Sequence, residues 1–227
     1  MAAQLLDPPS AAPPPASAPS VRPATRPAPA ARMTAEEYLA WEADPARARE
    51  RKSEFFEGEV REMPGVTPEH DEITSNINRL VHAVLDPDRY AVIGSELKLG
   101  VGDRAFLYSD GAIAERPLAL RPGGDRVVVN PLVVFEVLSP STEAADWGHK
   151  LDSYTDFESL RHYVLVSQDR PCVDSYSRED RRWFFARTAA GQTVALPGVG
   201  IELPVDELYR NVAFGPPAGA AEAGEGS

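Results

Sequence analysis

The stretch Asn130–Tyr154, NPLVVFEVLSPSTEAADWGHKLDSY, decides how the rest of the chain is read. From Leu132 to Leu138 nearly every residue is branched or aromatic, the pattern of a strand covered on both faces. Glu136 interrupts that run. An ionised carboxylate there costs several kcal/mol unless a partner meets it. Strand alternation puts Leu132, Val134, Glu136 and Leu138 on one face and Val133, Phe135 and Val137 on the other. Beyond the strand, the spacing predicts a helix over about 144–157 whose apolar stripe is Trp147, Leu151 and Tyr154. Lys150 lies inside that stripe, three residues after Trp147 and four before Tyr154.

Working outward, AFLYSDGAIAE predicts a strand from Ala105 to about Ala114, with Phe106, Tyr108 and Asp110 on one face. If this strand pairs with the one carrying Glu136, Asp110 and Glu136 converge at one end of the sheet. Two carboxylates brought that close repel unless one is protonated or a hard, oxygen-seeking cation such as Mg²⁺ bridges them. The chain has 20 arginines but only three lysines, Lys52, Lys98 and Lys150. The compact ammonium of Lys150, one connection after a buried glutamate, suits the holding of a hydroxide or the offsetting of charge on a phosphorane.

The other elements frame this centre. MTAEE opens a helix with Thr34 as N-cap and Glu37 three residues on, a capping box. EFFEGEV reads as a hairpin around Gly58 that ends by Met63-Pro64. Over 69–85, Ile73, Ile77, Leu80, Val81 and Val84 recur at helical spacing, and Pro87 stops the helix. YAVIGSELKLGV and HYVLVSQ read as strands, and CVDSYSRED with RRWFFAR as a hairpin turning at SREDR. Strands and helices interleave without a regular βαβ repeat, which predicts an α/β fold with a mixed sheet flanked by helices.

Composition bounds the function. Residues 1–32 hold nine of the 22 prolines and show no apolar period, so they read as a disordered Pro/Ala-rich tail; 215–227 reads as a flexible end. That leaves 33–214 as one folded domain. No secretion signal or membrane span is evident, and the single cysteine, Cys172, suits a reducing cytoplasm. The net charge is −12; three arginines against Asp7 make residues 1–32 positive by two, so the remainder carries −14. Such a surface argues against broad, non-specific coating of DNA but permits a local acidic cluster whose cation meets phosphate. His82, His149 and His162 show no zinc-ligand spacing, and no P-loop, dinucleotide fingerprint or G-x-S-x-G motif occurs.

An Asp, then a Glu in a buried strand, then a nearby Lys is the pattern of the metal-dependent PD-(D/E)XK nucleases. The segments MTAEEYLAWE, EFFEGEVREMPGVTPEHDEITSNINRLV, LYSDGAIAE, the opening stretch, SLRHYVLVSQDRPCVDSYSR and LPGVGIELPVDELY together resemble the Uma-type restriction endonuclease family of that superfamily. The resemblance implies a restriction-endonuclease-like fold with C-terminal β-hairpin additions. It implies Asp110 and Glu136 as metal-binding acids with Mg²⁺ or Mn²⁺, and Glu54 as an upstream acid that helps hold an ion. It also implies Lys150 as a lysine migrated from the position now occupied by Leu138, and His70 as a site residue without an assigned role. DNA is the implied substrate, and a homodimer follows by fold-level analogy, because duplex cleavage needs two sites. The chain departs from the family in having Ser109 where a proline is common, His149 where an acid is common, and Ser53 where a tyrosine is common.

Each site residue also has a plainer reading. Glu136 could belong to a structural ion pair, Lys150 could snorkel from its stripe, and Asp110 before Gly111 could serve a turn. Glu54 could be a solvated hairpin acid and His70 a helix-start surface residue. At the level of function, the alternatives to a DNA nuclease are a catalytically silent nuclease fold used for binding or assembly, and a metal-dependent phosphoesterase on another substrate.

Overall fold

The computed structural model describes residues 32–45, 52–63, 65–123, 126–138, 148 and 150–214. Helix α1 (Ala35–Glu42) begins with the expected capping box: the Glu37 N–H donates to Thr34 Oγ1 at 3.2 Å, and the Thr34 N–H donates to Glu37 Oε2 at 2.8 Å. Strands β1 (Ser53–Phe56) and β2 (Glu59–Glu62) form a hairpin whose two turn residues, Glu57 and Gly58, both have positive φ, at 48° and 89°. That is the mirror-image turn that matches strand twist, and it is why glycine stands at position 58. Helix α2 (Pro68–Val84) starts on Thr67 with Pro68 in its first turn and buries Ile73, Ile77 and Val81 along one stripe.

The two strands expected around Asp110 and Lys98 are each broken in two. β3 (Tyr90–Ile93) and β4 (Lys98–Val101) are separated by the turn-forming GSE segment, and β5 (Ala105–Tyr108) and β6 (Gly111–Glu115) by Ser109-Asp110. Each break moves the chain from one sheet to another, so the expected mixed α/β arrangement is built mainly from two sheets. With β7 (Val127–Val128), the first has the order β2-β1-β5-β4-β7. The second has the order β11-β10-β9-β8-β6-β3, from β8 (Pro131–Leu138), β9 (His162–Ser167), β10 (Cys172–Glu179) and β11 (Arg182–Ala189). The physical cause at Ser109-Asp110 is visible. The Asp110 carboxylate takes the Val137 N–H at 2.7 Å, so a side chain replaces a ladder carbonyl and the strand is interrupted there. A separate hairpin, β12 (Thr193–Leu196) with β13 (Ile201–Pro204), precedes the short helix α4 (Val205–Leu208).

β8 and β9 run parallel, which requires a crossover; its described part contains the short helix α3 (Leu151–Thr155). Much of the helix expected over 144–157, including Trp147, lies outside the described residues. The alternation expected for β8 holds from Val133 to Leu138, whereas Leu132 packs with the Val133 cluster, next to the register shift at Ile113/Ala114. Val133, Phe135 and Val137 pack with Ile113, Val164, Val166 and the α2 stripe. Val134 and Leu138 pack on the opposite face with Tyr154, Phe157, Tyr163 and Leu165. A third cluster joins α1 to the first sheet through Tyr38, Phe55 and Phe106, with Phe55 and Phe106 stacked at 5.7 Å between centroids.

Close packing of β4 on β7 leaves no room at Gly100, where an added Cβ would overlap Val127 Cγ1. Gly100→Ala is therefore expected to destabilise the fold by about 1–3 kcal/mol, read as a lowered urea midpoint at unchanged slope.

His162 fastens β9 to its surroundings. Its Nε2 accepts the Gly198 N–H at 3.0 Å, which leaves the proton on Nδ1 for Ser177 Oγ, also at 3.0 Å. Burial, reinforced by Arg161, holds the ring's pKa down to about 4 from 6.5. As pH falls the unfolded chain takes up this proton first. The stability that depends on the neutral ring is whole above pH 6.5 and is lost as pH falls to about 4. Urea midpoints at about pH 7 and about pH 5 are expected to differ less in His162→Gln than in the parent.

Candidate active site

Three elements bring the site together. β8 presents Glu136 on the face shared with Val134 and Leu138, 3 % exposed overall. The crossover returns over that face, so that α3 lays Tyr154 against it and Lys150 just precedes the helix. Both side chains converge on one oxygen: Tyr154 donates to Glu136 Oε1 at 2.8 Å, and the Lys150 ammonium donates to it at 3.2 Å. Burial, and next the Glu136 charge, push the Tyr154 phenol well above its usual pKa, so its proton stays in place as a donor.

The first sheet supplies the opposite wall. Glu54 of β1 accepts the Tyr108 N–H at 3.0 Å through Oε1, and the same oxygen lies 3.5 Å from Lys150 Nζ. Lys150 also donates to the Tyr108 carbonyl at 3.4 Å. The ammonium is thus held by two carboxylates and a carbonyl, two of these groups from the first sheet and one from the second.

Asp110 and His70 form a second group beside this one. The Val137 N–H taken by Asp110 Oδ2 belongs to the residue after Glu136, and His70 Nε2, from the first turn of α2, lies 3.2 Å from the same oxygen. The site side chains are recessed: Glu136 is 4 % exposed, Lys150 and His70 11 %, Glu54 16 % and Asp110 17 %. A cleft of about 390 Å³ opens onto His70 and Asp110.

The structure therefore gathers all five residues expected from sequence, in two linked groups: Glu136–Lys150–Glu54 and Asp110–His70. The plainer readings of Lys150 as a snorkelling surface lysine, and of Glu54 and His70 as solvated residues, do not fit these burials. Sequence reasoning placed Tyr154 in an apolar stripe and missed its hydroxyl; the signal was a phenol four residues after Lys150, on the same helical face. It also missed the gathering of all three lysines around Tyr108. Lys52 Nζ lies 5.3 Å and Lys98 Nζ 5.1 Å from the centre of its ring, and Lys150 binds its carbonyl. Lys98 is buried beside the Glu42 carboxylate, and desolvation lowers its pKa to about 7.

Among the described residues, no three His, Cys, Asp or Glu side chains gather closely enough to enclose a metal ion. This counts against a zinc-type cage, which needs three or four such donors. It is compatible with Mg²⁺ or Mn²⁺ chemistry: Mg²⁺ keeps several waters and is held by one or two carboxylates with substrate phosphate completing its shell. Asp110 and Glu136 each carry carboxylate oxygens, the donor type such an ion takes.

Known proteins carry the same fold and sequence pattern. A crystal structure of a putative nuclease belonging to DUF820, from Anabaena variabilis, superposes with a TM-score of 0.61. The match covers 78 % of this chain and 98 % of that one at 18 % identity, and the shared fold is an α/β arrangement of mixed sheets flanked by few helices. The family described as Uma2, "Putative restriction endonuclease", matches residues 35–206, and the chain belongs to it. Among relatives, the uncharacterized protein slr1290 of Synechocystis sp. is 32 % identical over 189 residues, 82 % of this chain and 96 % of its own length. A second Synechocystis protein, the uncharacterized sll1609, is 30 % identical over 154 residues, 66 % of this chain and 84 % of its own. No helix among the described residues is long and apolar enough to cross a membrane.

Proposed function

We propose that the chain is a metal-dependent nuclease that hydrolyses phosphodiester bonds in DNA, with Asp110 and Glu136 as the ion-holding acids and Lys150 as the catalytic cation. The observation that carries this reading is the placement of Lys150. A scarce lysine is held at 3.2 and 3.5 Å from Glu136 and Glu54, one residue along the strand from the N–H that orients Asp110. A purely structural ion pair does not require a third acid anchored at the neighbouring peptide.

Hydrolysis adds a water oxygen to phosphorus and expels one ester oxygen, with negative charge building on the non-bridging oxygens. Lys150 offsets that charge or orients the water. Tyr154 and Glu54 hold the ammonium and Glu136 in place, and the Tyr108 peptide ties Glu54 and Lys150 to one strand end. His70 steadies the Asp110 carboxylate. A Mg²⁺ or Mn²⁺ ion held by Asp110 and Glu136 would supply a bound water of lowered pKa and charge neutralisation.

Incubation of the protein with a panel of plasmid and of labelled single- and double-stranded oligonucleotides in Mg²⁺ or Mn²⁺ is expected to give cleavage of at least one member that a chelator abolishes. No cleavage across such a panel, with no uptake of Mn²⁺ by calorimetry, would leave a non-catalytic binding or assembly role as the better reading.

A further inference from the structure

The cleft beside Asp110 and His70 has a composition of its own. Its lining includes Lys52, Asp71, Thr74 and Ser95 together with those two site residues, and its volume is about 390 Å³. Thr74 Oγ1 is shielded from solvent and has no hydrogen-bond partner among the described residues. Such a hydroxyl is costly unless something that enters the cleft pairs with it. Lys52 stands at the rim, where its ammonium donates to the Ser95 carbonyl at 2.8 Å and pairs with Glu96, which is 83 % exposed. Exposed pairs of that kind are worth little, so the ammonium is readily lent to another anion.

Size and charge restrict what can enter. A cavity of this volume is at the small-ligand end of the pocket range and holds about one nucleotide, not a segment of duplex. A duplex presents one charge per ~1.7 Å and needs several cations to bind it. Among the described residues the only lysine or arginine lining the cleft is Lys52, set against Asp71 and Asp110, on a chain of net charge −12. The recessed catalytic groups add a geometric restriction, because a phosphodiester has to leave the smooth wall of a duplex to reach them.

We propose that this cleft is a subsite for one nucleotide of single-stranded nucleic acid, with Lys52 and the Thr74 hydroxyl binding the phosphate next to the one cleaved. The proposal rests on the nuclease reading and names its substrate class. Single strands and frayed strand ends are the substrates, and intact duplex is not.

The test uses the full chain, a fluorescein-labelled oligothymidylate, and the same strand paired with oligoadenylate. With Mn²⁺, cleavage of the single strand is expected to exceed that of the duplex by about tenfold or more. Lys52→Gln and Thr74→Val are expected to raise KM for the single strand about tenfold at nearly unchanged kcat. Thr74→Val is expected to leave the urea midpoint equal to or above the parent's, since the hydroxyl has no partner to lose. Equal or faster cleavage of the duplex overturns the proposal, as does an unchanged KM in both variants, and either outcome leaves the nuclease reading standing. If the parent cuts nothing, the nuclease reading fails by itself. Fluorescence anisotropy of the oligothymidylate with Ca²⁺ then decides the subsite: binding weakened by Lys52→Gln supports it, and no binding, or binding indifferent to that change, overturns it.

Discussion

Lys150→Met is expected to lower the rate of phosphodiester hydrolysis by about 10²–10³-fold, the scale seen when one preorganised donor to developing charge is removed. The change also leaves Glu136 and Glu54 without their shared cation in a recessed site. Removing one partner of a buried pair costs on the order of 3–5 kcal/mol, so the Met variant is expected to unfold at lower denaturant as well. Lys150→Arg separates the two effects. It keeps a cation paired with Glu136 and Glu54, and with it most of the stability, but a wide planar fork does not place its nitrogens where the compact ammonium sits. Its urea midpoint should stay near the parent's while turnover falls nearly as far as in the Met variant. Steady-state rates and denaturation curves read both, and an Arg or Met variant that turns over like the parent removes Lys150 from the chemistry.

Asp110→Asn is expected to weaken Mn²⁺ binding by about 10²–10³-fold, the effect of removing one unit charge a few ångströms from a dication in a partly shielded site. The substitution is conservative for the fold, because the amide oxygen can still accept the Val137 N–H that Asp110 holds at 2.7 Å. Titration calorimetry with Mn²⁺ reads the loss directly and does not depend on turnover. Cleavage should fall in parallel. An Asn variant that binds Mn²⁺ as the parent does would falsify the assignment of this carboxylate as an ion ligand.

What was legible in the sequence, of the fold and of the candidate site, differs from residue to residue for physical reasons. Glu136 was legible because a charge inside an apolar run needs an explanation whatever the fold. The face it shares with Val134 and Leu138 follows from strand periodicity alone. Glu54 and His70 came from resemblance to a family, since nothing in their local sequence distinguishes them from solvated residues. The break at Ser109-Asp110 was not legible. It depends on a hydrogen bond that the Asp110 carboxylate accepts from a backbone N–H 27 positions later, which no local pattern encodes. The change of sheet between β3 and β4 had a local sign in GSE, but a turn does not reveal that the next strand joins a different sheet. The convergence of Lys52, Lys98 and Lys150 on Tyr108 is a long-range outcome of β1, β4 and the crossover meeting at one strand end.

That convergence has a practical side. Attachment through primary amines is a common way to fix a protein to a sensor surface or to tag it with dye. In this molecule the side-chain amines are confined to one neighbourhood, and Lys52, 36 % exposed against 5 % for Lys98 and 11 % for Lys150, is the most open of them. Lysine-directed coupling therefore draws the protein down mouth-first, and carboxyl- or thiol-directed attachment is the better geometry for watching anything enter.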